Sequence, residues 1–272
     1  MKLPFAHSVV VVTGGASGIG KEIVNQMVDK GARVIVVGRT RKTGVKFVKE
    51  LKKRGYDVDF EHVDMTKQKD VRLMINRIVK KYGMIDYFYN NAGIFMGGEI
   101  RDTKIENWHE VANNNIFSTM NGSHYAYQQM IKQGFGHIVN VASAAGLFPV
   151  PAMGIYGSTK FAIVGLSNAL RNEAKAFGVQ VSVVCPTVVN TPLYDTALYN
   201  KVDTDTALKN RSSLQTPEVA AKKIIRGVRR NKAVIHTSLT TSATWVLYRI
   251  APGIYNVAAR RILKVYRKKL RA

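Results

Sequence analysis

The sequence predicts an α/β fold: a single domain built on a doubly wound parallel sheet of about seven strands, with helices on both faces. Short runs rich in β-branched residues alternate with longer amphipathic segments of helical length. The runs at 9–12 and 34–37 are entirely apolar, as strands of a parallel sheet covered on both faces must be. The 272 residues suffice for one such core and are few for two full domains.

Seven segments have the length and composition of strands. They lie at 8–13, 33–38, 57–62, 85–90, 137–143, 179–185 and 233–237. Before the last of them, Thr216, Pro217 and Glu218 match an N-cap, a first-turn proline and a first-turn acid, and they predict a helix that begins there. We therefore predict one domain over 1–237 and a C-terminal extension over 238–272.

The charge of the chain is unevenly distributed. The net charge is +23, and the segment after Glu218 contains 14 Lys and Arg residues and neither Asp nor Glu. Such a region favours polyanions, either a membrane surface or nucleic acid, although a basic face that is merely solvated is the simpler alternative. Because no nucleic-acid-reading motif accompanies the basic residues, nucleic acid is the weakest of these interpretations.

Cysteine and histidine usage bears on location and on metal binding. The single cysteine, Cys185, cannot form an intrachain disulfide, and the N-terminal segment lacks the apolar region of a signal peptide, so we expect a reducing, cytoplasmic location. No apolar run reaches the ~18 residues of a membrane-spanning helix. The histidines have no metal-ligand spacing, and we predict no metal site. They are His7, His62, His109, His124, His137 and His236.

A glycine-rich turn separates the first predicted strand from a helical pattern. Gly14, Gly18 and Gly20 follow the spacing G-x-x-x-G-x-G. Glycines let a pyrophosphate approach the backbone, and a helix N-terminus supplies free N–H groups and partial positive charge; a purely structural turn is the alternative. The stretch resembles the cofactor loop of the short-chain dehydrogenase/reductase family, which has a Rossmann-like fold. The resemblance implies that Ser17 and Ile19 also line the dinucleotide site.

Two segments after neighbouring predicted strands also resemble cofactor-binding elements of this family. Asn91, Ala92 and Gly93 belong to an Asn-Asn-Ala-Gly motif after the fourth predicted strand, and in relatives this motif lines the cofactor cleft. Asp64 follows the third predicted strand and matches the family position that holds the edge of the adenine ring. A simple helix-capping role for Asp64 is the alternative.

The segment after the sixth predicted strand resembles the family's P-G-x-x-x-T element. It begins at Pro186 and has Thr187 in place of the glycine. The resemblance implies cofactor contacts for Pro186, Val189 and Thr191, with Thr191 near the carboxamide.

The segment after the second predicted strand bears on the choice between NAD(H) and NADP(H). An NAD-selective site usually places an acidic side chain there to bind the ribose 2′-hydroxyl, but no Asp or Glu lies between Asp29 and Glu50. Arg39 can bind a 2′-phosphate bidentately, so NADP(H) is predicted in preference to NAD(H). The alternative is that Arg39 and Arg41 are solvated loop charges, and Ser17 stands where NADP-type relatives often have a second basic residue.

The catalytic prediction starts from Tyr156 and Lys160, which are four residues apart and so share one face of a predicted helix. An ammonium near a phenol lowers the phenol's pKa from about 10 towards the operating pH. The family tetrad implies two further residues, Ser143 to bind the substrate oxygen and Asn115 to hold a water that relays protons through Lys160. Asn115 is chosen on its spacing from Trp108, because three consecutive asparagines leave the register open.

The resemblance implies an NAD(P)-dependent oxidoreductase that transfers a hydride between NADP(H) and a carbonyl or secondary alcohol, with Tyr156 as proton donor. Segment 192–215 is the predicted substrate lid. Apolar side chains in and near the lid suggest a lipophilic substrate, with ordinary loop packing as the alternative. They are Leu193, Tyr194, Leu198, Tyr199, Phe148, Pro149 and Met153. Relatives are commonly homodimers or homotetramers. A non-catalytic dinucleotide sensor or scaffold at a membrane surface is the alternative function, and the complete tetrad argues against it.

The C-terminal extension contains a basic amphipathic helix pattern from Ile254 onwards, with an apolar side and a basic side on a helical wheel. The apolar side consists of Ile254, Ala258, Ile262, Val265 and Tyr266, and the basic side of Arg260, Lys264, Arg267, Lys268 and Arg271. With Trp245 and Tyr248 nearby, this pattern predicts peripheral binding to the inner, anionic face of a membrane. Packing against a partner subunit or the sheet edge is the alternative.

Overall fold

The computed structural model describes residues 5–204 and 214–271, and a parallel sheet of seven strands forms its centre. The strands are β1 (Val9–Thr13), β2 (Arg33–Gly38), β3 (Val58–His62), β4 (Tyr87–Asn90), β6 (Gly136–Val141), β7 (Val179–Cys185) and β9 (Val234–His236). Their order is β3-β2-β1-β4-β6-β7-β9. Two short strands outside this sheet, β5 (Met96–Gly97) and β8 (Leu198–Tyr199), pair with each other in parallel. The predicted doubly wound fold is confirmed.

Helices cover both faces of the large sheet. They are α1 (Gly18–Val28), α2 (Arg41–Lys53), α3 (Gln68–Tyr82), α4 (Ile105–Ala112), α5 (Ser118–Gln133), α6 (Gly154–Ala174), α7 (Pro217–Arg229), α8 (Leu239–Ile250) and α9 (Pro252–Lys269). A π-helical turn, Asn113–Phe117, joins α4 to α5. The side chain of Thr216 caps α7, and Pro217 stands in its first turn, as predicted.

The apolar runs of the central strands supply two separate cores. Val10 and Val12 pack in one core with side chains of α1, α2 and α7, whereas Val9 and Val11 pack in the other with side chains of α3 and α5. Successive side chains of a strand point to opposite faces, so both sets must be apolar when both faces are covered. This arrangement explains why β1 contains four consecutive valines.

A buried polar network lies beneath the carboxyl ends of β4 and β6. The Asn90 amide nitrogen donates to Asn140 Oδ1 over 2.8 Å and to Ser123 Oγ over 3.1 Å, and Asn140 Nδ2 donates to Ser167 Oγ over 3.0 Å. Since buried polar groups are costly unless they are hydrogen bonded, these bonds fix α5 and α6 against the two strands. The helix that contains Tyr156 and Lys160 is thereby held in register with the sheet.

The C-terminal helices pack on the same body as the rest of the chain. The rings of Tyr255 and Phe148 have centroids 5.7 Å apart, and the Tyr255 hydroxyl donates to the Pro149 carbonyl oxygen. Tyr266 is also buried, while Ile262 is 59 % exposed. Tyr266 lies one turn after Ile262 on the predicted side, but the helix buries Tyr255 and Tyr266 and leaves Ile254, Ile262 and Val265 exposed. Among the residues that the structure describes, no helix is long and apolar enough to cross a membrane.

Candidate active site

A cleft of about 620 Å³ opens at the carboxyl ends of the central strands, where the strand order reverses between β1 and β4. Doubly wound sheets bind their ligands at this switch point. The predicted site residues that line the cleft are Gly14, Ser17, Gly18, Ile19, Arg39, Asp64, Asn91, Ala92, Gly93, Ser143, Tyr156, Lys160, Pro186, Val189 and Thr191. Gly20 and Asn115, also predicted, do not line it. Segments distant in sequence thus meet at the predicted place.

The glycine loop needs glycine for two different reasons. Gly14 and Gly18 have φ angles of 64° and 51°, in the left-handed region that L side chains disfavour. A Cβ at Gly18 would also lie 3.1 Å from the Cβ of Thr191 across the cleft. Gly20 lies under the loop, where a side chain would collide with the carbonyl oxygen of Gly14. Its position shows a packing role, and a contact between Gly20 and the cofactor stays a prediction.

The N-terminus of α1 faces this loop without a side-chain cap. Ser17 occupies the N-cap position, but its hydroxyl makes no capping hydrogen bond, and the first turn of α1 contains no acidic residue. The N–H groups and the positive end of the helix dipole therefore lack the partner that an N-cap usually provides. An uncapped helix N-terminus beside a glycine turn fits the pyrophosphate of a dinucleotide.

Thr13 connects the glycine loop to the segment after β4. Its hydroxyl oxygen accepts hydrogen bonds from the backbone N–H groups of Asn91 and Ala92 over 2.9 and 3.0 Å. The Asn91 amide nitrogen donates to the Thr13 carbonyl oxygen over 3.0 Å. These bonds keep two walls of the cleft together and explain why a threonine precedes the glycines.

At the adenosine side, Arg39 is exposed at the rim and Asp64 lies further in. Asp64 Oδ1 accepts hydrogen bonds from the N–H and hydroxyl groups of Thr66 over 3.0 and 2.8 Å. Partial burial raises the pKa of Asp64, but these bonds and the charge of Arg39 outweigh it and hold the pKa below its usual value. The structure thus shows the local capping interaction, and an adenine contact from Asp64 stays a prediction.

Tyr156 and Ser143 stand together on one wall of the cleft. Burial raises the pKa of the Tyr156 phenol to about 12, and a hydrogen bond with Ser143 acts in the opposite direction. Ser143 Oγ also accepts the N–H of Ala145 over 3.2 Å, which fixes its rotamer. Tyr156 is therefore a neutral phenol whose hydroxyl is hydrogen bonded to Ser143, and its role as proton donor stays a prediction.

Lys160 carries its amine into the protein interior, where only 5 % of the residue is exposed. Burial lowers the pKa of this amine to about 8, so the group is still protonated at neutral pH. Its Nζ donates to the Val141 carbonyl oxygen over 3.1 Å and lies 5.5 Å from the centre of the Tyr156 ring. The expected lowering of the Tyr156 pKa by Lys160 is not found, because burial raises the pKa of the phenol instead.

Asn115 is fully buried in the π-helical turn. Its Oδ1 accepts the N–H of Ile94 over 2.8 Å, and its Nδ2 donates to the Ile94 carbonyl oxygen and to Thr159 Oγ1, both over 3.0 Å. A Cβ on Gly93 would lie 2.8 Å from Asn115 Oδ1 and 3.6 Å from Lys160 Nζ. Of the three consecutive asparagines, Asn115 is thus the one beside Lys160, and its side chain braces the wall segment. Its water-holding role stays a prediction.

The substrate side of the cleft is apolar and aromatic. Tyr156 packs edge-on against Phe95 at 4.9 Å, and Phe95 contacts Tyr194 and Tyr199 at 5.1 and 6.1 Å. Leu193 and Met153 pack on the same cluster. Sequence reasoning identified all of these residues except Phe95, whose only signal is its place just after the Asn-Asn-Ala-Gly motif.

Two predictions about the substrate side differ from the structure: the pocket does not include Phe148 and Pro149, and the predicted lid lies only partly within the described residues. Phe148 and Pro149 were predicted to line the pocket, but Phe148 packs in another cluster with Tyr255, and the Pro149 carbonyl oxygen accepts the Tyr255 hydroxyl. This segment therefore packs against the C-terminal helices and not in the cleft. Of the predicted lid, residues 205–213 lie outside the described residues; the rest includes a 3-10 turn, Pro192–Tyr194, and β8.

Comparison with known proteins agrees with this geometry. A model of the short chain dehydrogenase family matches residues 8–201. The putative oxidoreductase SadH of Mycobacterium tuberculosis is 29 % identical over 257 residues, 92 % of this chain and 93 % of that protein. The structure of a short-chain dehydrogenase/reductase from Burkholderia phymatum in complex with NAD superposes with a TM-score of 0.85 at 25 % identity, over 93 % of this chain and 96 % of that one. The structure of ElxO with NADP bound has a TM-score of 0.74 at 28 % identity, over 85 % of this chain and 97 % of that one.

The chain therefore belongs to the short-chain dehydrogenase family. It is an NAD(P)-dependent oxidoreductase that acts on CH–OH and C=O groups. A nicotinamide dinucleotide is its cofactor, and the uncapped α1 N-terminus, the glycine loop and Lys160 are the parts of the cleft that fit it.

The buried Lys160 gives a prediction for the cofactor-free protein. The folded state releases this proton near pH 8 and the unfolded chain near pH 10.5, so the unfolded state binds more protons in between and stability rises with pH. One pKa unit corresponds to about 1.4 kcal/mol. Relative to Lys160→Met, the wild type should therefore gain about 3 kcal/mol of unfolding free energy between pH 7 and pH 10.5, measured by urea denaturation.

Lys132→Met provides the matched control, because Lys132 is an exposed lysine on α5 and its removal should leave the pH dependence of stability unchanged. A difference between wild type and Lys160→Met that stays constant over this pH range would show that the amine is not buried as described.

Proposed function

We propose that this protein transfers a hydride between NADP(H) and a lipophilic carbonyl or secondary alcohol. The observation that supports this most is the meeting of Tyr156, Ser143 and Lys160 beside an aromatic wall in the same cleft as the glycine loop. A dinucleotide sensor would need the loop, but it would have no use for a proton donor set against an apolar pocket. The non-catalytic alternative is therefore not favoured.

The bound dinucleotide supplies the hydride donor or acceptor, and the residues of the chain manage the proton. In the direction of reduction, the Tyr156 hydroxyl gives its proton to the carbonyl oxygen of the substrate. Ser143 donates to the same oxygen as negative charge develops there. The Lys160 ammonium stabilises the tyrosinate that remains. In oxidation the tyrosinate accepts the proton, so activity in that direction should rise with pH.

Replacing Tyr156 by Phe tests the proton donor. The ring and its packing on Phe95 are kept while the hydroxyl is lost, so we expect turnover to fall by at least ~100-fold and the dissociation constant for NADPH to stay within about twofold. Turnover is followed by NADPH absorbance with a panel of lipophilic ketones and aldehydes. Tyr56→Phe, which removes the hydroxyl of a half-buried tyrosine that does not line the cleft, should behave as wild type. Full activity in Tyr156→Phe would refute the assignment.

The proposed preference for NADP(H) is based on the position of Arg39. It stands at the rim of the cleft at the end of β2, and the segment before α2 offers no carboxylate for a ribose 2′-hydroxyl. A guanidinium binds a phosphate through two parallel hydrogen bonds. Hydrogen bonds to charged groups contribute about 1.5–3 kcal/mol each, which is enough to decide between the two cofactors.

We expect wild-type kcat/KM to be higher with NADPH than with NADH, and Arg39→Ala to reduce this ratio by about tenfold or more. Arg41→Ala is the matched control, because Arg41 is exposed on α2 and does not line the cleft. Steady-state kinetics with both cofactors provide the measurement. A wild type that prefers NADH, or an equal loss of ratio in both variants, would contradict the proposal.

The proposed homo-oligomer is supported by exposed apolar side chains around α5 and α6. Phe117, Met120 and Phe161 are 50 %, 44 % and 38 % exposed. Large apolar residues that share one side of a molecule commonly mark an interface. A homodimer or homotetramer would cover them.

The exposed outer face of α9 is the basis for proposing that the protein binds peripherally to a membrane. Ile254, Val257, Ala258, Arg261 and Ile262 lie together on this face, with exposures of 64 % for Ile254 and 59 % for Ile262. A second copy of the same basic surface would meet it with like charge, whereas anionic lipid offers both acyl chains for the apolar residues and phosphates for the lysines and arginines.

The membrane proposal predicts cosedimentation with vesicles that contain phosphatidylserine and weak binding to pure phosphatidylcholine. The double variant Ile254→Asp/Ile262→Asp should bind at least ~10-fold more weakly, because it places carboxylates in the apolar strip. Leu73→Asp changes an exposed leucine on α3 and should bind as wild type. Equal binding by all three proteins, or equal binding to neutral vesicles, would exclude this location.

A further inference from the structure

The C-terminal end of α9 contacts two segments that flank the substrate side of the cleft. One is the loop between β5 and α4, which contains Glu99 and Asp102. The other is the stretch of the lid that follows β8. The contacts with the loop join residues about 170 positions apart in sequence, and neither the hydride chemistry nor the cofactor cleft accounts for the two sets of contacts.

Two bidentate ion pairs hold the loop. Arg267 binds Glu99 with Nε and Nη2 distances of 3.0 and 2.7 Å, and Arg271 binds Asp102 with distances of 3.2 and 3.1 Å. The carboxylate side chains are only 9 % and 6 % exposed. The hydrogen bonds from Arg267 hold the pKa of Glu99 at about 2, so the pairing persists at all ordinary pH values.

The same helix end holds the lid. Val202 forms a β-bridge with Arg271, and the Asp203 N–H donates to the Leu270 carbonyl oxygen over 2.7 Å. Lys201 lies 3.4 Å from Asp102. Asp102 of the loop therefore contacts both Lys201 of the lid and Arg271 at the end of α9.

Both held segments reach the catalytic wall. The lid residue Leu198 donates its N–H to the Phe95 carbonyl oxygen over 3.0 Å, and the loop residue Gly98 donates to the Ala152 carbonyl oxygen over 2.8 Å. Phe95 packs on Tyr156, and Ala152 stands just before the helix that contains Tyr156. Movement of either segment would change the space in front of the phenol.

We propose that Arg267 and Arg271 are positioning residues, which bind Glu99 and Asp102 and so hold residues 198–204 of the lid beside the aromatic wall of the cleft. The proposal deepens the proposed function, since it assigns these residues to substrate binding in the same site. Each carboxylate has a second basic partner, Arg101 at 3.2 Å from Glu99 and Lys201 for Asp102. Loss of either Arg267 or Arg271 thus leaves no buried carboxylate unpaired, and the variants should fold.

Arg271→Met tests the proposal, because it keeps an unbranched apolar side chain close to the length of the arginine stem and removes the ion pair. We expect KM for the carbonyl substrate to rise about tenfold, with kcat and the NADPH dissociation constant within about twofold of wild type. Arg271→Lys should restore most of the loss. Amide hydrogen exchange in peptides covering 198–204 should be about tenfold faster in Arg271→Met. Arg260→Met, an exposed basic residue on the same helix, should match wild type in every measurement.

Equal exchange in wild type and Arg271→Met, a fall in kcat with unchanged KM, or identical kinetics of the Arg260 and Arg271 variants would overturn the proposal. If the wild type turned over no carbonyl compound, the proposed function would fail while hydrogen exchange still decided whether α9 holds the lid. If Arg271→Met proved too unstable, Asp102→Asn would be measured in the same way and should give the same KM and exchange changes.

Discussion

Lys160 places an ammonium where only 5 % of the residue is exposed, and the active site is arranged to keep that charge. A buried charge is tolerated only with close polar partners. Val141 offers its carbonyl oxygen at 3.1 Å, and the amide of Asn115 packs alongside over Gly93. The polar network of Asn90, Asn140, Ser123 and Ser167 in turn fixes α6 on the sheet. The proposed proton transfer from Tyr156 gives this buried charge a function.

The dinucleotide side follows from a different constraint, the geometry of parallel strand ends. Both β1 and β4 end at the switch point, and Thr13 ties the segments after them together. The uncapped end of α1 then faces the gap. The glycine loop and Tyr156 consequently lie in one cleft, and the segments after β1 and β4 are held together by the side chains of Thr13 and Asn91.

Most of the fold could be predicted because its signals are local. Both faces of the sheet are covered, so its central strands contain continuous apolar runs such as 9–12 and 34–37, and all seven strands of the large sheet were predicted. Motifs with fixed spacing located the cleft residues. Contacts between distant segments left no such signal. The burial of Tyr266 and the position of Phe148 outside the pocket could not be predicted, because the packing of α9 decides both. Arg267 and Arg271 read as solvent-facing charges, yet they bind carboxylates near the cleft.

Direct hydride transfer in the cleft, with Tyr156 as proton donor, is the central proposal. It is tested most directly with NADPH in which both hydrogens at nicotinamide C4 are deuterium and a ketone that the enzyme reduces, with the alcohol product analysed by mass spectrometry. We expect one deuterium on the carbinol carbon of the wild-type product and almost no alcohol from Tyr156→Phe. An unlabelled alcohol, or labelled alcohol formed by Tyr156→Phe at the wild-type rate, would contradict it.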